Sequence, residues 1–307
     1  MYNFIIMTTS DFGYNACKYL INNYNVKAVV TSTPKPKGRH FITEDIETVK
    51  EAKKKNIPII YIDKSYQIYE KIKEIEVDYF FVIDFAFILK KNVLEIPKKF
   101  AINIHPSILP RYRGPSPLHF QIIDKVKKTG ISIIKMNEFI DSGDILFQLA
   151  FELEQWYTFT EFYKLMQHYA GFALEIFIKN INKFYPQPQD EKFATYTRKI
   201  EKNDAFIDFQ NEEAKIAIGK IKAFEKWPKV KINIEEDIIV LLDATFEEDV
   251  NVNPGSIKVS NNGFYIGCKD GTISILKLQK AGKNLQNIQE FLKGYRKRFD
   301  EKKLIEV

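Results

Sequence analysis

Cysteine is nearly absent: Cys17 and Cys268 are the only two in 307 residues. They lie far apart and form no Cys-x-x-Cys pair, which argues against both a disulfide framework and a cysteine-based zinc site. No metal is expected. The glycine-rich Gly-x-Gly-x-x-Gly turn is also missing. After the first apolar run stands Thr8-Thr9-Ser10-Asp11-Phe12-Gly13, so a dinucleotide cofactor is not supported. No internal repeat and no low-complexity tract is present. The apolar start, Met-Tyr-Asn-Phe-Ile-Ile-Met, is too short for a membrane span and lacks the basic flank of a secretion signal. A cytoplasmic protein without a membrane partner is the expectation.

What is present is ordinary globular material, 45% hydrophobic, in a length that points to two domains rather than one. The net charge of +6 is modest, and its distribution says more. Residues 235–249 carry seven acidic side chains and no basic one, whereas 277–303 carry nine basic residues against three acidic. A basic stripe of that kind suits phosphate contacts or a solvated helix face.

Apolar runs over 2–8, 26–31, 57–62 and 79–83 alternate with helical patterns over 12–22, 43–55 and 65–75. That alternation predicts βαβ units and a mainly parallel sheet. Further strands are expected over 100–104 and 130–137, and one long helix over 158–182. The periodicity gives way to Tyr185-Pro-Gln-Pro-Gln-Asp-Glu, which marks a boundary. After a helix at 215–223, strands over 230–234, 238–243, 255–259, 263–268 and 271–278 follow at near-regular spacing. The turn signals Asn261-Asn262-Gly263 and Lys269-Asp270-Gly271 separate the last three. The expected architecture is therefore α/β: a Rossmann-like, mainly parallel sheet followed by a small OB-like β-barrel domain. The expected divisions are 1–185, a linker over 186–205, and 206–307.

Chemistry concentrates in Ile-Asn-Ile-His-Pro-Ser-Ile-Leu-Pro-Arg-Tyr-Arg at 102–113, followed by Asp-Ser-Gly-Asp at 141–144. Asn103 and His105 are two apart on a predicted strand, so both point to one face. An amide and an imidazole together suit an oxygen that gains negative charge. Gly143 marks a tight loop that can return the carboxylate of Asp141 to His105. There it orients the ring and accepts a proton from an attacking amine. His40, His119 and His168 receive no role, and Asp144 is read as the anchor of its own turn.

The pattern Asn103-x-His105-x-Ser107-x-Leu109-Pro110, then Arg113-Gly114, then Asp141-x-Gly143-Asp144-Ile145, resembles the formyltransferases that use 10-formyltetrahydrofolate. The resemblance implies the formyltransferase fold, with Asn103, His105 and Asp141 as the catalytic trio. It implies folate contacts at Phe87, Ile88, Leu89, Ser107, Ile108, Leu109, Pro110 and Ile140. Within the superfamily, several stretches are similar to the methionyl-tRNA formyltransferases, which join such a catalytic domain to a C-terminal barrel. They are Thr33 to Arg39, Ala194 to Ile200, Trp227-Pro228, and Leu276 to Lys283. The implied acceptor is initiator methionyl-tRNA, held by Lys35, Lys37, Arg39, Lys280, Lys283 and Arg296, with the chain acting as a monomer. A formyltransferase acting on a nucleotide-linked amino sugar is the alternative, and a non-catalytic RNA-binding protein is a second. The chain departs from the family pattern at Thr8-Thr9-Ser10, Asp84-Phe85-Ala86, Lys90, Pro115-Ser116-Pro117 and Lys280.

Overall fold

The computed structural model describes residues 2–36, 43–234, 237–260, 263–280, 282 and 286–295. They fall into two compact units that are not contiguous in sequence. One comprises Met1–Gly114, Lys128–Glu152 and Tyr163–Tyr196; the other comprises Pro115–Lys127, Leu153–Phe162 and Thr197–Val307.

The first unit starts with β1 (Asn3–Met7), α1 (Tyr14–Asn23), β2 (Asn25–Ser32), α2 (Glu47–Lys54), β3 (Ile59–Ile62), α3 (Gln67–Ile72), β4 (Tyr79–Val82), the short α4 (Lys91–Leu94) and β5 (Phe100–His105). These strands pair in parallel in the order β3-β2-β1-β4-β5. The chain builds outward from β1 on one side and then crosses to β4 on the other, which makes a topological switch point between them. Phe4, Ile5, Ile6 and Met7 of β1 are all fully buried, as expected of a parallel strand covered on both faces. Helix α1 buries Ala16, Cys17, Leu20 and Ile21, which is one face at helical spacing. One apolar cluster joins Ile5, Met7, Val30, Ile62, Ile68, Phe80 and Val93, and Phe85, Phe87 and Met136 pack against it.

Past β5 the sheet changes character. After α5 (Pro117–Ile123), β6 (Lys128–Lys135) pairs antiparallel with β5, and β7 (Ile145–Glu152) antiparallel with β6. The sheet therefore has seven strands, with a parallel block and an antiparallel edge hairpin. Sequence patterning assigns no element to either α5 or β7. The helix α6 (Phe159–Lys179) follows and buries Met166, Ala170, Ala173, Leu174 and Phe177.

In the second unit, α7 (Ala214–Ala223) packs against α5. A Cβ on Gly219 would stand 2.8 Å from the carbonyl oxygen of Ile123, so the two backbones meet where no side chain fits. Strands β8 (Val230–Ile234), β9 (Asp237–Glu247), β10 (Ile257–Val259), β11 (Phe264–Cys268) and β12 (Gly271–Lys280) pair antiparallel in the order β10-β11-β12-β9-β8. The two-residue β13 (Gln286–Asn287) joins β12 and leads into α8 (Ile288–Tyr295). This is the expected barrel-like sheet. Among the described residues the pairing path remains open, with no ladder between β8 and β10. Register shifts at Ile275, Lys277 and Leu278 interrupt the β9–β12 ladder, the device by which a barrel-type sheet bends.

The acidic stretch is partly internal to this sheet. Asp243 takes Lys222 at 2.5 Å and Lys277 at 3.7 Å, and Asp237 takes Lys280 at 2.7 Å. Burial explains why these carboxylates occur with lysines opposite, since an unpaired charge there is costly.

His119, on α5, stacks on Phe159 with ring centroids 4.4 Å apart and faces Phe224 at 6.2 Å. Burial pushes its pKa down to about 4. The unfolded chain takes up a proton near the ordinary histidine value while the folded chain does not. Stability is therefore retained above that value and lost as pH falls from there through about 4, by up to about 3 kcal/mol. Denaturant titrations at about pH 7.5 and about pH 5 check this. His119→Leu is expected to lose less stability between them than the native chain.

Candidate active site

Strand β5 ends at His105, and beyond the carboxyl ends of such strands lies the usual ligand crevice. Asn103 is half-buried and His105 is buried. Between them sits Asp141, brought back by the loop between β6 and β7. Asn103 Nδ2 donates to Asp141 Oδ1 at 3.2 Å. His105 Nδ1 stands 3.5 Å from Asp141 Oδ2, and Gly114 N donates to the same oxygen at 2.7 Å. On the other side of the ring, Nε2 lies 2.9 Å from the carbonyl oxygen of Tyr112, an acceptor, so Nε2 carries a proton. One carboxylate thus aligns the amide, the imidazole and a backbone N–H of the 106–114 loop. The three residues proposed from sequence meet in one place.

Two backbone features hold this loop. Asp141 has φ +50°, a left-handed conformation that residues with a Cβ avoid. A Cβ on Gly143 would stand 1.8 Å from the carbonyl oxygen of Lys135. Gly143→Ala must therefore push the loop off the end of β6. It is expected to cost about 1–3 kcal/mol in stability and to lower turnover as well, as thermal melts and initial rates on the purified variant would show.

Patterning missed the polar framework around these loops. Ser132 Oγ accepts from Leu109 N at 3.0 Å and donates to the Ser107 carbonyl at 2.6 Å. Gln148 Nε2 donates to the Leu109 carbonyl at 2.9 Å and to Ser132 Oγ at 2.8 Å. Arg113, only 1% exposed, holds Glu191 through two N–H···O contacts of 2.7 and 2.9 Å. That pairing raises the pKa of the guanidinium and lowers that of Glu191. Alternation flags none of these, because their partners are backbone groups or side chains far away in sequence.

The residues expected to contact folate divide by exposure. Ser107, Leu109 and Leu89 are buried; Phe87, Ile108 and Pro110 are half-buried; Ile88 and Ile140 are exposed. Phe87 and Met136 pack on the same apolar cluster. The exposed side chains of Ile88, Phe139 and Ile140 follow them in their respective loops. Apolar side chains beside loop backbone suit a flat ring system with a polar edge.

Two stretches that depart from the family pattern meet each other. Thr9 Oγ1 donates to the Asp84 carbonyl at 3.0 Å and accepts from Ala86 N at 2.9 Å. Ser10 Oγ donates to the Asp84 carboxylate. The loops after β1 and β4 are thereby tied together at the switch point.

Of the residues expected to meet tRNA, Lys35 is exposed and Lys280 is paired with Asp237. Lys37, Arg39, Lys283 and Arg296 lie outside the described residues. Among the described residues no group of three or more His, Cys, Asp or Glu side chains is placed to hold a metal, and no helix is long and apolar enough to cross a membrane.

Comparison with known proteins defines the class: it is that of the formyl transferases, which move a one-carbon group. The chain belongs to the formyl transferase family, whose model matches residues 2–177 and whose C-terminal domain model matches 199–296. Its relatives place it among the methionyl-tRNA formyltransferases: that of Rickettsia bellii is 35% identical over 300 residues, covering 95% of this chain and 96% of its own. Among solved structures, the Clostridium thermocellum methionyl-tRNA formyltransferase superposes with a TM-score of 0.55 at 21% identity, over 81% of this chain and 96% of that one. The N-formyltransferase from Helicobacter canadensis shares the fold at a TM-score of 0.70 and 20% identity, over 91% of this chain and 100% of that one.

Proposed function

We propose that the chain transfers the formyl group of 10-formyltetrahydrofolate to the α-amino group of methionine on initiator methionyl-tRNA. The observation that carries this reading is Asp141, whose carboxylate reaches Asn103, His105 and Gly114 N at once. Folate supplies a formyl carbon already activated by its anilinic nitrogen. The residues do the rest. Asn103 has two amide N–H groups, of which the contact with Asp141 uses one. The other donates to the formyl oxygen as it gains charge. As the imidazolium, with Nε2–H on the Tyr112 carbonyl, His105 adds a second donor through Nδ1, whose contact with Asp141 is the longer of its two. Asp141 takes the proton that the attacking amine loses as its nitrogen bonds the formyl carbon. That proton passes to N10 of the folate as the formyl C–N10 bond breaks, so that tetrahydrofolate leaves neutral and the carboxylate is restored.

Phe87, Ile88, Leu89, Ser107, Ile108, Leu109, Pro110 and Ile140 hold the folate, the buried members by fixing loop backbone and the exposed ones by apolar contact. Residues 1–185 carry the chemistry, 186–205 connect, and 206–307 grip the tRNA. Lys35, Lys37, Arg39, Lys283 and Arg296 meet its phosphates, so binding should weaken with salt, whereas Lys280 is engaged by Asp237. The chain acts as a cytoplasmic monomer.

The test is formyl transfer from 10-formyltetrahydrofolate to charged initiator methionyl-tRNA, with uncharged tRNA and a nucleotide-linked amino sugar as parallel acceptors. Product on the charged tRNA alone is expected. Product on the sugar would overturn the acceptor while leaving the chemistry in place.

A further inference from the structure

Residues 178–198 lie between the two family matches, and the linker expected from sequence, 186–205, begins among them. In the first unit this segment nevertheless reaches the catalytic loop. Gln189 Nε2 donates to the carbonyl oxygen of Asp141 at 2.8 Å and to that of Gly143 at 2.7 Å. Its Oε1 accepts from Arg113 Nε at 3.1 Å and Nη2 at 2.8 Å. Arg113 is fixed in turn by Glu191 and by the hydroxyl of Tyr196, 3.0 Å from Nη1. The same segment runs along both loops. Arg113 N donates to the Thr195 carbonyl and Tyr112 N to Thr195 Oγ1, while Gln187 and Ile145 exchange backbone hydrogen bonds.

One amide therefore spans two loops. On one side is Arg113, whose chain neighbours Tyr112 and Gly114 contact His105 and Asp141. On the other is the backbone of Asp141 itself, at φ +50°. A strained conformation persists only where its surroundings over-determine it, and the two donated bonds of Gln189 fix that backbone through the carbonyls of Asp141 and Gly143.

We propose that Gln189 is a positioning residue for formyl transfer: it holds the Asp141 carboxylate against Asn103 and His105 by fixing the backbone that carries it. The inference rests on Asp141 acting in catalysis as set out above.

The bland alternative makes Gln189 an anchor for Arg113, and Gln189→Glu separates the two. That change keeps an oxygen for the guanidinium, with a negative charge added, but removes both donors to the loop carbonyls. A mere anchor would tolerate or gain from it. A positioning residue would not: kcat is expected to fall roughly ten- to a hundred-fold, with KM for folate and for charged tRNA within about threefold of native. Because Gln189 acts through Asp141, the loss should vanish in a double-mutant cycle. Gln189→Glu combined with Asp141→Asn is expected to be no slower than Asp141→Asn alone. Native kcat, a change confined to KM, or losses that multiply in the double variant would each overturn the inference. Gln189→Met, which is of similar length and lacks the donors, takes its place if the first variant gives no cooperative melt. Because it also lacks the acceptor for Arg113, the double-mutant cycle with Asp141→Asn then decides, and losses that multiply would overturn the inference. Native turnover in Asp141→Asn would instead sink the reading of the site, a result distinct from any of these.

Discussion

Asn103→Ala is expected to lower kcat by about 10²–10³-fold, a loss of about 2.7–4 kcal/mol of transition-state stabilisation, with little change in KM. The size follows from what the amide does. Its N–H donates where charge develops, so the interaction is stronger in the transition state than with bound substrate, and its loss appears in kcat. The structure adds a second reason. Asn103 also donates to Asp141 at 3.2 Å, so the variant leaves that carboxylate with one partner fewer as well as removing the oxyanion donor. The fold should survive, because Asn103 is half-buried and its neighbours Ile102 and Ile104, which hold β5 in the core, are untouched. Steady-state kinetics with both substrates varied would decide; a variant that keeps native kcat while raising KM would assign Asn103 to binding alone.

How much of this was legible in the sequence depends on how each part is encoded. Asn103 and His105 declare themselves because a strand has a side-chain period of two, and β5 runs to His105, one residue past the expected bound. The parallel block was legible through its alternation of short apolar runs with helical patterns. The edge hairpin was not. A loop of nine residues separates β6 from β7, so no tight-turn signal announces an antiparallel return. Helix α5 has seven residues and begins at Pro117, too short for a periodic stripe to stand out. Gln189 illustrates a deeper limit. Its Nε2 partners are carbonyls 46 and 48 residues away, and a side chain that binds backbone leaves no complementary residue to notice. Basic patterning at 277–303 raised an RNA surface, whereas Lys277 and Lys280 are turned to Asp243 and Asp237. Charge counts do not register that pairing.

Asp141→Asn tests the keystone, and it is expected to lower turnover by about 10²–10⁴-fold, the range for loss of a positioned proton acceptor. The substitution is nearly isosteric, yet its hydrogen-bond chemistry cannot fit. Both carboxylate oxygens of Asp141 accept, Oδ1 from Asn103 Nδ2 and Oδ2 from Gly114 N. An asparagine offers one acceptor and one donor, so whichever way it turns, an N–H faces another N–H. If the amide nitrogen meets Gly114, the loop that carries Tyr112 and hence the Nε2 contact of His105 must shift. If it meets Asn103, the oxyanion donor itself is displaced. In either orientation His105 Nδ1 loses the negative partner 3.5 Å away, and no group remains to take the amine's proton. Stability should change far less than rate. A hydrogen bond to a charged group contributes about 1.5–3 kcal/mol, and Asn retains one acceptor, so a melting point a few degrees lower at most is expected. A folded Asp141→Asn variant with native turnover would show that the amine loses its proton elsewhere and that the carboxylate serves only to hold the two loops together.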